Sequence, residues 1–151
     1  MKGVYLLFLN ISRDIKIRVG SLGLVNLPAG VYVYVGSAQN SVEARVRRHL
    51  KKRKTLRWHI DYLTSSKDVE PLYVVVLPLP KNYECRIARI LQENDSRSIN
   101  NFGASDCKCR THLYNIRSPR RLIAKIRRTL SLKKPIKYMK TSRVRIGEKD
   151  F

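Results

Sequence analysis

The chain has 151 residues, an ordinary length for one domain, and 43% of them are hydrophobic, so it can bury a core. Its 32 Lys and Arg residues against 11 Asp and Glu residues give a formal net charge of +21. A charge of that size opposes the compact state and indicates a polyanionic partner. Nucleic acid fits best, because each neutralised phosphate releases condensed counterions and adds affinity.

Neither solubility nor membrane binding accounts for this charge as well as nucleic acid does. A modest charge would already keep the protein soluble, and a membrane surface would require an amphipathic insertion helix that the sequence does not show. The first residues, MKGVYLLFLNISRD, are too short and too alternating for a signal peptide, and no run is long enough to span a membrane. Cys85, Cys107 and Cys109 are too few and too odd in number for a disulfide framework. We therefore expect a cytoplasmic protein.

In chain order, the sequence predicts the elements β-β-β-α-α-β-α-loop-α. Alternation and β-branched or aromatic residues predict strands over 2–10, 14–20, 30–36 and 69–79. Apolar residues at helical spacing predict helices over 41–52, 56–64, 83–94 and 119–132, the first capped by Ser41. The expected fold is α+β, a small mixed and largely antiparallel sheet flanked by helices, with a basic C-terminal extension.

We expect three parts along the chain. Residues 1–116 form the main domain, 117–132 a basic amphipathic helix, and 133–151 a basic tail that stays flexible until it meets phosphate. Direct contacts with nucleic acid are expected from basic residues of the first and last helices: Arg47, Arg48, Lys51, Lys52, Arg120, Arg121, Arg127 and Arg128.

The first helix follows the strand that contains Tyr34 and carries a polar stripe of Arg45, Arg48, His49 and Lys52. Arginine can clamp a phosphate with two hydrogen bonds, and histidine or tyrosine can move a proton, so this set suits phosphodiester cleavage. A solvated basic face that merely touches backbone phosphates explains the stripe equally well.

Glu84 is a candidate functional residue, because the chain has only 11 acidic residues and this one is placed on an apolar helix face. Ile87, Ala88 and Leu91 follow it at helical spacing, so Glu84 lies on the apolar side of its helix. A carboxylate directed inward is costly unless it is paired or binds a metal. One carboxylate plus substrate oxygens is a normal Mg²⁺ arrangement, so Glu84 is a candidate metal ligand.

The ordered set of motifs resembles the GIY-YIG nuclease superfamily. Gly3-Val4-Tyr5, Tyr34-Val35-Gly36, Arg45 and Glu84 carry that resemblance, which covers about residues 1 to 116. The stretches YVYVGSA, RRHL, WHIDYL, ECRIA and NFGASDCKCRTHLY are similar to one branch of it, the DUF123 family of predicted Uri-type endonucleases.

The resemblance implies a role for each matching residue. Tyr5 would be the general base or position the water, Tyr34 would lie beside it on the adjacent strand, and Arg45 would neutralise the phosphate. Glu84 would hold one divalent metal, Mg²⁺ or Mn²⁺, and His49 matches a histidine of the homing-enzyme branch. A tyrosine of ordinary pKa is a poor base at neutral pH, so this scheme requires nearby cations that favour the phenolate.

Two features depart from the superfamily pattern. A hairpin-sized insertion separates Tyr5 from Tyr34, and the superfamily's late asparagine has no clear match. Gly30-Val31-Tyr32 overlaps the second motif, so Tyr32 is the alternative to Tyr5, and it shares a strand face with Tyr34.

Two further groups of residues could take part in chemistry. His59 lies among apolar residues, which favours a partly buried histidine with its hydrogen bonds satisfied over a catalytic one. Cys107, Cys109 and His112 supply three zinc-ligand types, with Cys85 as a conceivable fourth, but structural zinc sites use wider paired spacing, so zinc is not expected.

The leading hypothesis is therefore a metal-dependent endonuclease acting on DNA rather than RNA. The alternatives are a catalytically silent nucleic-acid-binding module of the same fold and a basic component of a nucleoprotein complex. The sequence leaves the oligomeric state, the substrate structure and any sequence specificity open.

Overall fold

The computed structural model describes residues 1–93, 97–99, 101–103 and 111–132, and the backbone of 137–140. Four α-helices, one short 3-10 helix (Gly20–Leu22) and eight strands occur in these ranges. The strands are β1 (Gly3–Ile11), β2 (Ile15–Arg18), β3 (Leu24–Leu27), β4 (Gly30–Ala38), β5 (Val69–Leu77), β6 (Arg97–Ser98), β7 (Leu113–Ile116) and β8 (Lys137–Lys140). The helices are α1 (Val42–Leu50), α2 (His59–Thr64), α3 (Tyr83–Glu93) and α4 (Pro119–Thr129).

The main sheet has six strands in the order β6-β7-β4-β1-β5-β8, and its neighbouring strands are antiparallel. Strand β1 lies inside it, and its alternate residues pack on opposite faces. Tyr5, Leu7, Leu9 and Ile11 contribute to a core that includes residues of α1 and α2. Val4, Leu6 and Phe8 contribute to a second core, formed with α3 and α4.

The α+β class and all four helices are confirmed, as are the strands predicted over 2–10, 14–20, 30–36 and 69–79. The Ser41 hydroxyl accepts a hydrogen bond from the Ala44 N–H, so Ser41 is the N-cap of α1 as predicted. Helix α2 begins at His59 rather than at residue 56. The Asp61 carboxylate accepts the Arg57 and Trp58 backbone N–H groups, which places the start of the helix after them.

Several strands were not predicted. β3 pairs with β2 in a separate hairpin, which is the insertion expected between Tyr5 and Tyr34. β6 and β7 extend the sheet beyond β4, where the sequence predicted only a loop. Within the tail predicted over 133–151, the backbone of Lys137–Lys140 pairs with β5 as β8, as an extended segment can at a sheet edge, and the rest of the tail lies outside the described residues.

Within the described ranges, none of the helices is long and apolar enough to cross a membrane.

Candidate active site

Tyr5 and Tyr34 lie on adjacent strands and on the same face of the sheet. Tyr5 pairs with Gly36 and Leu7 pairs with Tyr34, so the two tyrosines are diagonal neighbours. A Cβ atom built on Gly36 would lie 2.5 Å from the Cζ and hydroxyl oxygen of Tyr5. The Tyr5 ring therefore lies over a position where no side chain fits, at the end of β4 that leads into α1.

The Tyr5 hydroxyl is 2.7 Å from Nε2 of His49, and both residues are buried. Burial raises the pKa of Tyr5 well above its ordinary value near 10, and the neighbouring Tyr34 raises it further, whereas Arg45 opposes the shift. Tyr5 is consequently a neutral phenol at neutral pH. Among the protein's own groups, the lowering effect of Arg45 is smaller than the effect of burial, so Arg45 alone does not favour the phenolate that the scheme requires.

The sequence predicted that His49 lies on the polar stripe of α1, and this prediction is wrong. It is 1% exposed and turned toward the sheet beside Val42 and Val46. Burial, followed by repulsion from Lys54, lowers its pKa to about 3, so the ring is neutral at physiological pH. Its Nδ1 atom is buried without a hydrogen-bond partner in the part of the chain that the structure describes.

Glu84 approaches the same region from the opposite face of the sheet. Its Oε2 accepts a hydrogen bond from the Ser37 hydroxyl at 2.7 Å, and its Oε1 lies 3.0 Å from Nδ1 of His112. The side chain is 19% exposed, which agrees with the predicted inward orientation. Burial opposes ionisation, but the hydrogen bonds from His112 and Ser37 outweigh it and lower the pKa of Glu84, so the carboxylate is charged at neutral pH.

Two arginines of α1 flank the exposed ring of Trp58. The Cζ atoms of Arg45 and Arg48 lie 4.6 Å and 4.4 Å from its centroid. Arg48 also donates to both carboxylate oxygens of the buried Asp61, and to the carbonyl of Thr55. Arg48, expected to contact nucleic acid, is thus held by an internal ion pair, whereas no hydrogen bond or ion pair joins the Arg45 side chain to another described residue.

The remaining residues predicted to contact nucleic acid also divide into one that is held by internal hydrogen bonds and others that are exposed or partly exposed. Lys52 donates to the carbonyls of Thr64, Ser66 and Val69, so its ammonium group holds the end of α2 and the start of β5. Arg47 on α1 and Lys51, the residue that caps its C-terminal end, are partly exposed. The predicted residues of α4 are all exposed: Arg120, Arg121, Arg127 and Arg128.

His59 is half-buried at the start of α2 and faces Phe102. Its Nδ1 accepts the backbone N–H of Gly103 at 2.9 Å. Burial lowers the pKa of His59, so the ring is neutral at neutral pH and carries its proton on Nε2. The expectation of a partly buried histidine with a satisfied ring nitrogen is confirmed, and the ring also borders the cleft described next.

These groups border one open cleft of about 940 Å³. Tyr5, Tyr34, Arg45 and Glu84 line it together with residues that the resemblance did not assign: Ser37, Arg57, Trp58, His59, Lys81 and His112. His49 stands behind Tyr5 rather than at the surface of the cleft. Tyr32 is buried away from it and donates to the carbonyl of Pro28, so the alternative to Tyr5 lies outside the cleft.

The chemistry of the cleft fits one Mg²⁺ or Mn²⁺ ion. Glu84 supplies an ionised carboxylate, and each of its oxygens has a lone pair left after the contacts with Ser37 and His112. Among the described residues there is no group of three or more His, Cys, Asp or Glu side chains that could hold a metal, so the remaining ligands would be water and phosphate oxygens. Cys107 and Cys109 lie outside the described residues, and Cys85 is disulfide-bonded and so offers no thiolate.

The comparisons identify the family. The model described as "Domain of unknown function DUF123" matches residues 4–134, and the chain belongs to that family. The match continues through α4, beyond the residue near 116 where the resemblance was expected to end. Neither the curated proteins nor the solved structures gave a match.

Proposed function

We propose that this protein is a divalent-metal-dependent endonuclease of the GIY-YIG type that hydrolyses phosphodiester bonds in DNA. The observation that carries the proposal is the convergence of Tyr5, Tyr34, Arg45 and Glu84 on one cleft. They come from two strands and two helices on both faces of the sheet. A fold that needed them only for packing would have no reason to bring an arginine, two phenols and an ionised carboxylate to one solvent-filled site.

Arg45 binds the scissile phosphate. Its guanidinium is always protonated, and it has no competing carboxylate among the described residues, so it can donate two parallel hydrogen bonds to phosphate oxygens. Glu84 holds the metal, with Ser37 and His112 fixing the orientation of its carboxylate. A Mg²⁺ or Mn²⁺ ion held there supplies positive charge that stabilises the charge developing on the phosphate oxygens.

Tyr5 acts as a neutral group that orients the attacking water. Burial raises its pKa, which favours this role over that of a phenolate base, and its hydroxyl oxygen, held by His49, keeps a fixed position at the wall of the cleft. His59 presents a hydrogen-bond donor to the cleft. Because Gly103 donates to its Nδ1, the Nε2–H is the free donor of the ring and can stabilise a phosphate or leaving-group oxygen.

One observation favours a second candidate, a silent binding module of the same fold. Glu84 already accepts hydrogen bonds from Ser37 and His112, so its burial is compensated without a metal. Such a module would use Arg45 and the exposed arginines of α4 to hold the phosphate backbone, and it would bind equally well with or without a divalent ion.

The test is a cleavage assay on supercoiled plasmid, branched DNA and RNA in Mg²⁺, Mn²⁺ or EDTA. Wild type should cut DNA only with the metal. Glu84→Gln, which keeps the shape of the side chain, should lose at least about a hundredfold in rate, because loss of a group that only supports a metal ligand already costs up to about that much. Arg45→Ala and Tyr5→Phe should also be strongly impaired.

Tyr32→Phe is the matched control for Tyr5→Phe. Both substitutions remove one buried phenol hydroxyl from the same face of the sheet, but only Tyr5 lines the cleft. Tyr32→Phe should therefore cut at the wild-type rate. The proposal is contradicted if wild type cuts no substrate with either metal, or if Glu84→Gln cuts as fast as wild type.

A further inference from the structure

The single tryptophan of the chain is exposed at the mouth of the cleft. Trp58 is 39% exposed, and it lines the same space as Tyr5, Arg45 and Glu84. Exposing an indole costs hydrophobic free energy, which burial in the neighbouring core would recover. The structure places this residue at the rim of the cleft.

The ring is held in place rather than free to collapse onto the surface. The Trp58 backbone N–H donates to Asp61, and the Arg48 guanidinium against the ring is fixed by the same carboxylate. Asp61 is 0% exposed, so this arrangement is anchored in the interior. Pre-organisation of an exposed aromatic lowers the entropy that a ligand would otherwise lose in ordering it.

The second arginine couples the ring to phosphate binding. Arg45 lies 4.6 Å from the ring centroid, and the described residues offer its side chain no hydrogen bond or ion pair. A turn of Arg45 toward a phosphate oxygen would uncover part of the indole next to that phosphate. The surface then presents a cation for the backbone and an aromatic plane for the base of the adjoining nucleotide.

We infer that Trp58 stacks on an unpaired base beside the phosphate held by Arg45, and that the cleft therefore selects DNA with a single-stranded segment over continuous duplex. This inference rests on the proposed function and names its substrate class. In the interior of a duplex both faces of each base are covered by neighbours, so there only an unstacked base can present a face to Trp58. Duplex would still bind, through phosphate contacts alone.

Because Trp58 is the sole tryptophan, its fluorescence reports the contact directly. The protein is titrated, without metal and at one fixed salt concentration, with a single-stranded oligodeoxynucleotide, a blunt duplex of the same length and an abasic single strand. Fluorescence anisotropy of an end-labelled strand measures binding independently. Only the single strand with bases should quench the emission, whereas all three should bind.

Trp58→Ala should weaken binding of the single strand about tenfold, which is within the range for one stacked base, and leave duplex affinity unchanged. Trp58→Phe should recover most of the loss. Leu56→Ala is the matched control, since Leu56 is 43% exposed nearby but does not line the cleft, and it should change neither affinity. Far-ultraviolet circular dichroism of each variant checks that the fold is intact.

The inference is overturned if the single strand binds without quenching, or if Trp58→Ala weakens single-strand and duplex binding equally. Neither readout needs metal or turnover. Quenching without any cleavage would support base stacking by Trp58 and contradict the proposed hydrolysis. Cleavage of DNA without quenching would support hydrolysis and contradict base stacking.

Discussion

The two faces of the sheet use their basic residues differently. On the face covered by α1 and α2, Arg48 is paired with Asp61, and Lys52 and Lys54 donate to backbone carbonyls. On the face covered by α3 and α4, the Glu84 carboxylate is held by Ser37 and His112, and the arginines of α4 remain exposed. The first face ties Arg48, Lys52 and Lys54 into internal contacts, and the second leaves the arginines of α4 as an open cationic surface.

The net charge of +21 therefore overstates the basic side chains that are open to a ligand, because several of those in the described residues are held internally. Asp61, His49 and Thr64 are buried on the first face, and nearby basic side chains compensate two of them: Arg48 for Asp61 and Lys54 for Thr64. Changing one of these buried polar residues, or the basic side chain paired with it, should alter the stability of the fold and the shape of the cleft. Changing an exposed arginine of α4 should alter affinity alone.

The largest effect is expected for Asp61→Ala. The substitution leaves the Arg48 guanidinium and the N–H groups of Arg57 and Trp58 without their acceptor, so the free energy of unfolding should fall by about 3–5 kcal/mol, as for a broken buried ion pair. Urea unfolding measures it. Asp68→Ala is the control, because Asp68 pairs with the exposed Arg13, and it should cost less than about 1 kcal/mol. Equal costs would contradict the distinction between the two pairs.

The next effect is a pH dependence that separates His49 from His59. The folded-state pKa of His49, about 3, lies below its unfolded value near 6.5, so the unfolded chain takes up the proton first. The stability contributed by neutral His49 is complete above pH 6.5 and is lost as the pH falls toward 3. Within that window, the free energy of unfolding should drop by about 1.4 kcal/mol per pH unit because of this residue.

The measurement is urea unfolding of wild type, His49→Gln and His59→Gln between pH 7.5 and about pH 4.5, a range in which His49 changes charge only in the unfolded state. The difference between wild type and His49→Gln should shrink as the pH falls. His59 is only half-buried and its pKa is lowered less, so His59→Gln should change the slope less. Parallel profiles for wild type and His49→Gln would refute the burial of a neutral ring.

The smallest effect compares one cation from each face. Arg121 is exposed on α4, and its replacement by Ala should reduce the slope of log affinity against log salt by about 1, the value for one lost phosphate contact. Lys52 donates to three carbonyls, so Lys52→Ala should leave that slope unchanged and lower stability instead. Binding to a duplex at several salt concentrations distinguishes them. A steeper loss for Lys52→Ala would reverse the assignment of the two faces.

The sequence was most informative where local periodicity and packing agree. Helix α1 follows from Ser41 and the buried Val42 and Val46, and the proximity of Tyr5 and Tyr34 follows from the paired strands that the motifs predict. The short strands β3, β6 and β7 were missed because two to four residues carry too little alternation to be recognised, and pairing across the sheet decides their conformation.

The errors in the site have a different origin. His49 was placed on the polar stripe because histidine is polar, yet the Tyr5 hydroxyl gives it a partner that allows burial. Arg48 and Lys52 were expected to contact nucleic acid because they lie on the basic stripe of the predicted helix. Their internal partners, Asp61 and the carbonyls after α2, are distant in sequence and could not be predicted from that stripe. The acidic Asp61, three positions after Trp58, is a sequence signal for a helix start at this point, since Asp61 accepts the Trp58 N–H. Only the fold shows that the indole is exposed.

The contact of Tyr5 with Gly36 also bears on how the sheet assembles. A slip of β4 by one residue would turn Tyr34 and the buried valines to the wrong faces, and a slip by two would put Tyr34 or Ala38 opposite Tyr5. At either position a side chain would take the space that the phenol ring occupies over the glycine. The pairing of the largest residue near the start of β1 with the smallest residue of β4 therefore selects one strand alignment during folding, before the cleft has any ligand to organise it.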